Sequence, residues 1–331
     1  MVQIPRELRD VSAVAPLALG AAPIGNLFAR LSDDQAEATL EAAWASDIRL
    51  VDTAPYYGHG LSEVRIGRHR SRNPAQTFTL STKVGRRLEA CAAENTPEHG
   101  FASPLPNRPV FDYSRDGVLR AFESSLARLG VERVACLLLH DIGPFVHGRN
   151  APAVLTQALN EALPAMTDLK RQGLTDAIGL GVNETSVCEQ VLAHADLDVV
   201  LLAGRYTLLD QSGRSLLDRA HADGVGVLAA GVFNSGFLAG GSTYDYAPAS
   251  PELITRRDRL AMLCTRHGVE LPAAAIQFAA SHPAIRQVVV GLRSPAEVAQ
   301  ASAWHATTIP TDFWRELAAW ELIELDESAT W

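Results

Sequence analysis

The 331-residue sequence predicts an α/β fold, a (β/α)8 TIM barrel, and three observations carry the prediction. Eight short apolar runs alternate with helix-length segments, glycines stand where those segments should stop, and no shift of composition marks a linker. Strands buried on both faces read as such runs. Eight of them joined by helices favour closure into a barrel over an open sheet. With 47% hydrophobic residues the chain can fill a large core. Two domains of about 150 residues would be the default at this length, but one barrel domain over residues 1–331 explains the rhythm better.

Taken in order, Pro5–Pro16 is too short for a strand–helix unit and predicts an N-terminal hairpin. Strands are expected at Leu17–Leu19, Arg49–Val51, Phe78–Ser81, Val134–Leu139, Ile178–Val182, Val199–Leu202, Gly226–Ala229 and Val288–Val290. Amphipathic helices are expected at Asp33–Ser46, Ser114–Leu129, Leu155–Gln172, Glu184–His194 and Gly213–Ala222. Ser32 and Ser114 are N-cap signals, while Gly130, Gly173 and Gly224 supply left-handed C-caps. The stretch Arg86–Asp112 interrupts the pattern with Pro97, Pro104, Pro106 and Pro109. It reads as a long, mobile loop insert, of which Arg86–Arg108, together with Gly143–Asn150, is expected to wall the substrate. Arg65, Arg68, Arg70 and Arg72 suit a solvated helix face, and Pro310–Leu325 predicts a C-terminal helical tail.

A net charge of −9 opposes binding to a phosphate backbone. No apolar run approaches the roughly 18 residues of a membrane span, and Met1–Asp10 lacks a signal-type apolar core. Cys91, Cys136, Cys188 and Cys264 are dispersed without metal-ligand spacing. The expectation is a cytoplasmic protein, monomer or homodimer, acting on a small molecule without a metal, a nucleic acid or a membrane partner.

Barrel chemistry belongs to the loops after the strands. Those positions read Asp52-Thr53-Ala54-Pro55-Tyr56-Tyr57-Gly58, Ser81-Thr82-Lys83-Val84-Gly85 and Leu139-His140-Asp141. A tyrosine hydroxyl ionises near ~10, too high for easy proton transfer. A lysine beside it should lower that value, an aspartate should hold the lysine, and a histidine can orient the reacting oxygen. Tyr57 is therefore expected to move the proton, with Lys83 and Asp52 tuning it and His140 positioning. Each residue has a structural alternative: an ion pair closing a barrel layer, a rim aromatic, a core histidine. Jointly, at three successive strand ends, they favour a catalytic set.

These motifs resemble the aldo-keto reductases: Asp52-Thr53-Ala54-x-x-Tyr57-Gly58 with Glu63 and Gly67, Ser81-Thr82-Lys83-Val84, and Ser125-Leu126-x-x-Leu129-Gly130 leading to His140. The resemblance runs from Leu17-x-Leu19-Gly20 to the last strand. It implies nicotinamide-dependent hydride transfer with Asp52, Tyr57, Lys83 and His140 as the catalytic tetrad. Lys83-Val84-Gly85-Arg86, the segment Phe111–Arg120 and His140-Asp141 resemble the branch that includes D-threo-aldose 1-dehydrogenase, L-fucose dehydrogenase and pyridoxal 4-dehydrogenase. That branch implies oxidation of a hemiacetal hydroxyl, of a sugar such as L-fucose or of pyridoxal, with Tyr57 acting as base. A generic NADPH aldehyde reductase and a non-enzymatic cofactor-binding accessory subunit are the other readings.

The resemblance places Asn183 on the nicotinamide carboxamide, with Val182 where a small hydroxyl is usual. Ala229-Ala230-Gly231 replaces a stacking tyrosine, leaving Tyr206 and Phe233 as candidates for that role. Ser235, Gly236 and Leu238 are expected along the pyrophosphate. Gly291 and Glu297 stand where lysine and arginine often hold a 2′-phosphate, with Arg293 and Gln300 nearby. A carboxylate there suits a ribose hydroxyl, so NAD is expected over NADP. His147 is expected at the substrate or in solvent, and Trp304 in helix packing or over the adenine.

Overall fold

The computed structural model describes residues 16–245 and 247–324. Eight parallel strands close into a barrel: β1 (Leu17–Gly20), β2 (Leu50–Asp52), β3 (Thr79–Val84), β4 (Val134–His140), β5 (Thr175–Val182), β6 (Val199–Ala203), β7 (Gly226–Ala230) and β8 (Ile285–Gly291). Each pairs with the next in sequence, and β8 closes on β1 through Leu17↔Val288 to Gly20↔Gly291. Each of the eight predicted runs overlaps one of these strands, and only Arg49 and Phe78 fall a residue outside, before β2 and β3.

Alternation along the strands divides the apolar residues into two cores. Ala18, Leu50, Cys136, Leu138, Ala177, Val199, Leu201, Leu228 and Val289 fill the barrel interior. Their sequence neighbours, such as Leu19, Val51, Leu137 and Leu139, pack outward against the helices. Successive side chains on a strand point to opposite faces. The parity that buries Leu50, Cys136 and Leu138 inside therefore also turns Asp52 and His140 inward, at the strands' carboxyl ends.

Helix Asp33–Ala45 begins with a full capping box between Ser32 and Gln35. Ser114 caps helix Arg115–Leu129 by accepting from the Gly117 N–H. Gly130, Gly173 and Gly224 all adopt positive φ, as their C-cap roles require. The segment predicted as one helix over Leu155–Gln172 is instead composite. Helix Ala151–Gln157 passes through a π-helical stretch, Ala158–Ala162, into helix Leu163–Arg171. Pro164, which lacks an N–H, occupies the first turn of that last piece.

The arginine stripe is not uniformly solvated. Arg65, in helix Leu61–Arg72, is buried and donates to Asp33 Oδ1, the Ile24 and Leu31 carbonyls and Asn26 Oδ1 at 2.7–2.9 Å. These bonds staple the β1–β2 connection to the helix. The insert is also more ordered than a loop. Arg86–Ala90 and Asn107–Phe111 form an antiparallel ribbon, whose tip is tied down at several points. Leu105 N–H reaches the Gly58 carbonyl, the Asn107 amide reaches the His59 carbonyl, and Ala102 N–H reaches the Asn26 carbonyl.

The C-terminal stretch contributes helix Thr311–Ala319, whose Phe313, Trp314 and Leu317 are buried. The hairpin expected at Pro5–Pro16 falls outside the described residues except for Pro16. No described helix is long and apolar enough to cross a membrane.

Candidate active site

The four residues expected at the strand ends converge at one mouth of the barrel. Lys83, on β3, is fully buried, and its ammonium uses all three donors. It donates to Asp52 Oδ2 at 2.5 Å, the Thr53 carbonyl at 2.9 Å and the Tyr57 hydroxyl at 3.2 Å. Asp52 is buried as well, and its other oxygen accepts from Ser81 Oγ at 2.8 Å. A buried charge pair is tolerable only with such complete bonding. Gly181, inward on β5, makes room for this assembly: a Cβ there would lie 3.2 Å from Lys83 Cε.

Tyr57 is held by backbone contact. Gly25 lies so close that a Cβ would approach the Tyr57 carbonyl carbon to 2.6 Å, and Gly58 has a φ of +64°. Only glycine fits this pair of positions without moving the loop that carries Tyr57. Glu63, also buried, accepts from Thr82 Oγ1 and Arg128 Nε at 2.7 Å each, so it fixes the helix after Tyr57 and leaves the chemistry to others.

Electrostatics correct one expectation. Burial pushes the Tyr57 hydroxyl above its ordinary value of 10; Lys83 pulls it down, Asp52 pushes it up, and the net displacement is upward. Lys83 is disfavoured by burial, yet Asp52 and then Tyr57 hold its ammonium above the usual lysine range. His140, at the end of β4, lies with its ring edge-on to Tyr57, centroids 6.1 Å apart. Burial lowers its pKa to about 3, and Arg86 and Lys83 act in the same direction against Asp141. The imidazole is therefore neutral, suited to hydrogen bonding and not to carrying charge.

Around this set lies a wall drawn largely from the insert, whose individual residues the motifs left without roles. Arg86, the first residue of the ribbon, bonds His140 Nδ1 at 3.1 Å and Asp141 Oδ2 at 2.6 Å. Its guanidinium lies over the rings of Tyr56 and Phe111 at 4.1 and 4.7 Å. Phe101, from the insert, is buried beside Tyr57 at 6.3 Å between centroids. His147 is neither in open solvent nor free for a ligand, because its Nε2 lies 2.9 Å from Tyr113 Oη and 2.8 Å from the Asp141 carbonyl. A sequence signal existed for Arg86 and Asp141. Opposite charges follow Lys83 and His140 on paired strands whose register reaches Val84↔Leu139.

The expected cofactor residues spread along the β5, β7 and β8 side of the same mouth. Asn183 directly follows β5 and is half-buried, its carbonyl accepting from Arg205 Nε at 2.8 Å. Ser235 and Gly236 follow Asn234 in a run of three left-handed residues after β7. Asn234 is fully buried, yet neither its Nδ2 nor its Oδ1 has a partner among the described residues. A buried amide without partners is costly in isolation, and it fits a loop built to meet a polar ligand. Leu238 departs from expectation: its side chain belongs to the outer core, and its N–H is committed to the Phe233 carbonyl.

Tyr206 is buried and stacked on Phe278, away from a ring-stacking role. Phe233 remains half-buried, edge-on to Trp304, whose indole N–H donates to Glu270. Gly291 and Gln300 are exposed at the end of β8 and on helix Pro295–Ala306. Glu297 is not a lone carboxylate there. It accepts from Arg293 Nε and from the Arg293 N–H, both at 2.9 Å, so the two charges offset each other.

The aldo/keto reductase family model matches residues 16–321. Pyridoxal 4-dehydrogenase of Microbacterium luteolum is 40% identical over 325 residues, covering 94% of this chain and 95% of that protein. D-threo-aldose 1-dehydrogenase of a Pseudomonas species is 40% identical over 322 residues, with the same coverage of 94% and 95%. Among solved structures, an aldo-keto reductase of Bacillus halodurans superposes with a TM-score of 0.73 at 20% identity, covering 94% of this chain and 93% of its own, which supports the fold.

Proposed function

The chain belongs to the aldo/keto reductase family, and from that premise we propose that it oxidises the anomeric hydroxyl of an aldose such as L-fucose, or another D-threo-aldose, to the lactone, with NAD. The observation that carries this reading is the Asp52–Lys83–Tyr57 chain of hydrogen bonds, closed on its open side by a neutral His140. A bound nicotinamide supplies the hydride acceptor. Asn183, Ser235, Gly236 and Asn234 would hold it on the β5–β7 side. Tyr57 accepts the hydroxyl proton, and Lys83 stabilises the phenolate precursor through its 3.2 Å bond. His140 orients the reacting oxygen, and the aromatic faces of Tyr56 and Phe101 exclude water. Because Tyr57 must lose its proton to act and is held above 10, oxidation should accelerate with rising pH, about tenfold per unit below that group's pKa in the working complex.

NAD is favoured by the Arg293–Glu297 pair. Arg293 is the one cation in segment 291–300, and its charge is already offset. The pair is half-exposed, so its effect is small, about 0–1 kcal/mol. Accordingly Glu297→Ala should raise the NADP/NAD ratio of kcat/KM only a few-fold, and an unchanged ratio would remove this support.

The aromatic wall also favours a second reading, the cyclic hemiacetal of pyridoxal, whose pyridine ring could stack there. Initial rates of NAD reduction with L-fucose, D-arabinose, L-galactose and pyridoxal decide between the two. Failure of all four, with NADPH-driven reduction of aromatic aldehydes instead, would overturn both in favour of a generic reductase. Cofactor binding without turnover of any substrate would point to an accessory subunit.

A further inference from the structure

His140 can serve as a hydrogen-bond donor only if its single ring proton is on the nitrogen that faces the substrate. A neutral imidazole has two tautomers, and the bond made by one nitrogen determines the state of the other. In this chain the partner of Nδ1 is a guanidinium nitrogen, Arg86 Nη1, at 3.1 Å. Guanidinium has donors and no acceptor, so Nδ1 must offer its lone pair. The proton is then on Nε2. That nitrogen makes no hydrogen bond among the described residues, and it lies 3.5 Å from Asp141 Oδ2.

Arg86 is itself immobilised from three directions. It is 6% exposed, its Nη2 donates to Asp141 Oδ2 at 2.6 Å, and its plane is covered by Tyr56 and Phe111. Asp141 is fixed in turn: its backbone has a φ of +50°, and its carbonyl lies 2.6 Å from the Tyr113 hydroxyl and 2.8 Å from His147 Nε2. Gly85, directly before Arg86, has a φ of +102°, and a Cβ there would strike Tyr113 Cε1 at 2.6 Å. The turn out of β3 is thus shaped to bring this arginine back over the site.

We propose that Arg86 is a positioning residue that holds His140 in its Nε2–H tautomer, with Asp141 as the anchor of Arg86, so that the histidine presents a donor to the reacting oxygen. This rests on the reading of His140 as the group that orients that oxygen. The opposite tautomer would present a lone pair to the substrate oxygen and repel it. The charged and titratable groups facing the ring are Arg86, Asp141 and Lys83, with the Tyr57 and Tyr56 rings beside it. Arg86 and Lys83 oppose a second proton on His140, whereas Asp141 favours one. Removing Arg86 would therefore release Nδ1 and leave Asp141 as an unpaired neighbour, so the ring should take up a proton far more readily.

The test is the ring 15N spectrum of the histidine-labelled protein without cofactor, from about pH 5 to 8, with His140→Asn identifying the signals. The wild-type ring should show a protonated Nε2 and an accepting Nδ1 that do not titrate in this range. Arg86→Met should make the ring titrate and should add an acid limb to the kcat/KM profile for oxidation, with a loss of about 10²-fold at neutral pH. Arg86→Lys, which keeps the positive charge but not the planar fork, should recover part of that loss. A wild-type ring found as the Nδ1–H tautomer or as imidazolium would overturn the proposal, as would an Arg86→Met ring and pH profile identical to wild type. The wild-type tautomer does not depend on either Arg86 variant folding. An Nε2–H ring in a protein that oxidises none of the four candidate substrates would leave the tautomer lock standing and refute only the functional reading.

Discussion

The two sides of the barrel mouth are built on different principles. On the β2–β4 side, Asp52, Lys83 and His140 are buried, and every donor of Lys83 has a partner within the protein. On the β7–β8 side, Asn234 is buried with both polar atoms unpartnered among the described residues, and Glu297 closes on Arg293 at a half-exposed edge. The first side is complete in itself, as proton transfer demands, because groups that must hold a geometry near 3 Å need prior organisation. The second leaves polar capacity open, as a surface that exchanges a ligand requires.

The comparison breaks most visibly at Tyr57. Tyr57→Phe removes one hydroxyl from the complete side and should lower kcat by about 10²–10⁴-fold, and because one buried Lys83 donor loses its acceptor it should also cost about 1–3 kcal/mol of stability; steady-state rates and a denaturant titration check both halves. Lys83→Met tests the completeness directly. It leaves Asp52 as a buried carboxylate without its ion partner, so denaturant titration should show a loss of about 3–5 kcal/mol. Any residual oxidation should need more alkaline conditions, because the group that pulls the Tyr57 value down is gone.

Asn234→Ala should behave in the opposite manner. The amide has no hydrogen bond to lose among the described residues, so stability should hold or rise slightly, while cofactor affinity by calorimetry falls about tenfold, the equivalent of about one hydrogen bond to a ligand. Equal effects on stability and affinity would erase the distinction between the two sides. The smallest effect concerns His59, a fully buried ring whose two nitrogens have no hydrogen-bond partner among the described residues. Burial first, then His99, lowers its pKa from 6.5 to about 4. Between those values the unfolded chain binds more protons, so stability is lost as pH falls through that window. His59→Phe should flatten the acid slope of stability and add about 1 kcal/mol at neutral pH.

Legibility in the sequence followed the range of the cause. The strand runs, the Ser32 and Ser114 caps and the glycine stops were readable because each depends on a few adjacent residues. The tetrad was readable because strand parity turns Asp52 and His140 into the barrel where Leu50 and Leu138 also point. Arg65 was misread as solvated, since its acceptors lie more than thirty positions away in the chain. The insert was read as a mobile loop because its prolines hide the ribbon pairing of Arg86–Ala90 with Asn107–Phe111.

By itself, then, the sequence determined the alternation of strand and helix, the closure of eight units, and the gathering of Asp52, Tyr57, Lys83 and His140 at the strand ends. Those are consequences of local periodicity and of side-chain chemistry. The tertiary structure alone decided which groups meet across the chain: Arg86 with His140 and Asp141, and Arg65 with Asp33 and the Ile24 and Leu31 carbonyls. It also decided that Tyr57 is pushed up, against the pull of its lysine. The physical reason is common to all three. Burial and ion pairing are sums over neighbours drawn from distant parts of the chain, and no window of sequence contains them.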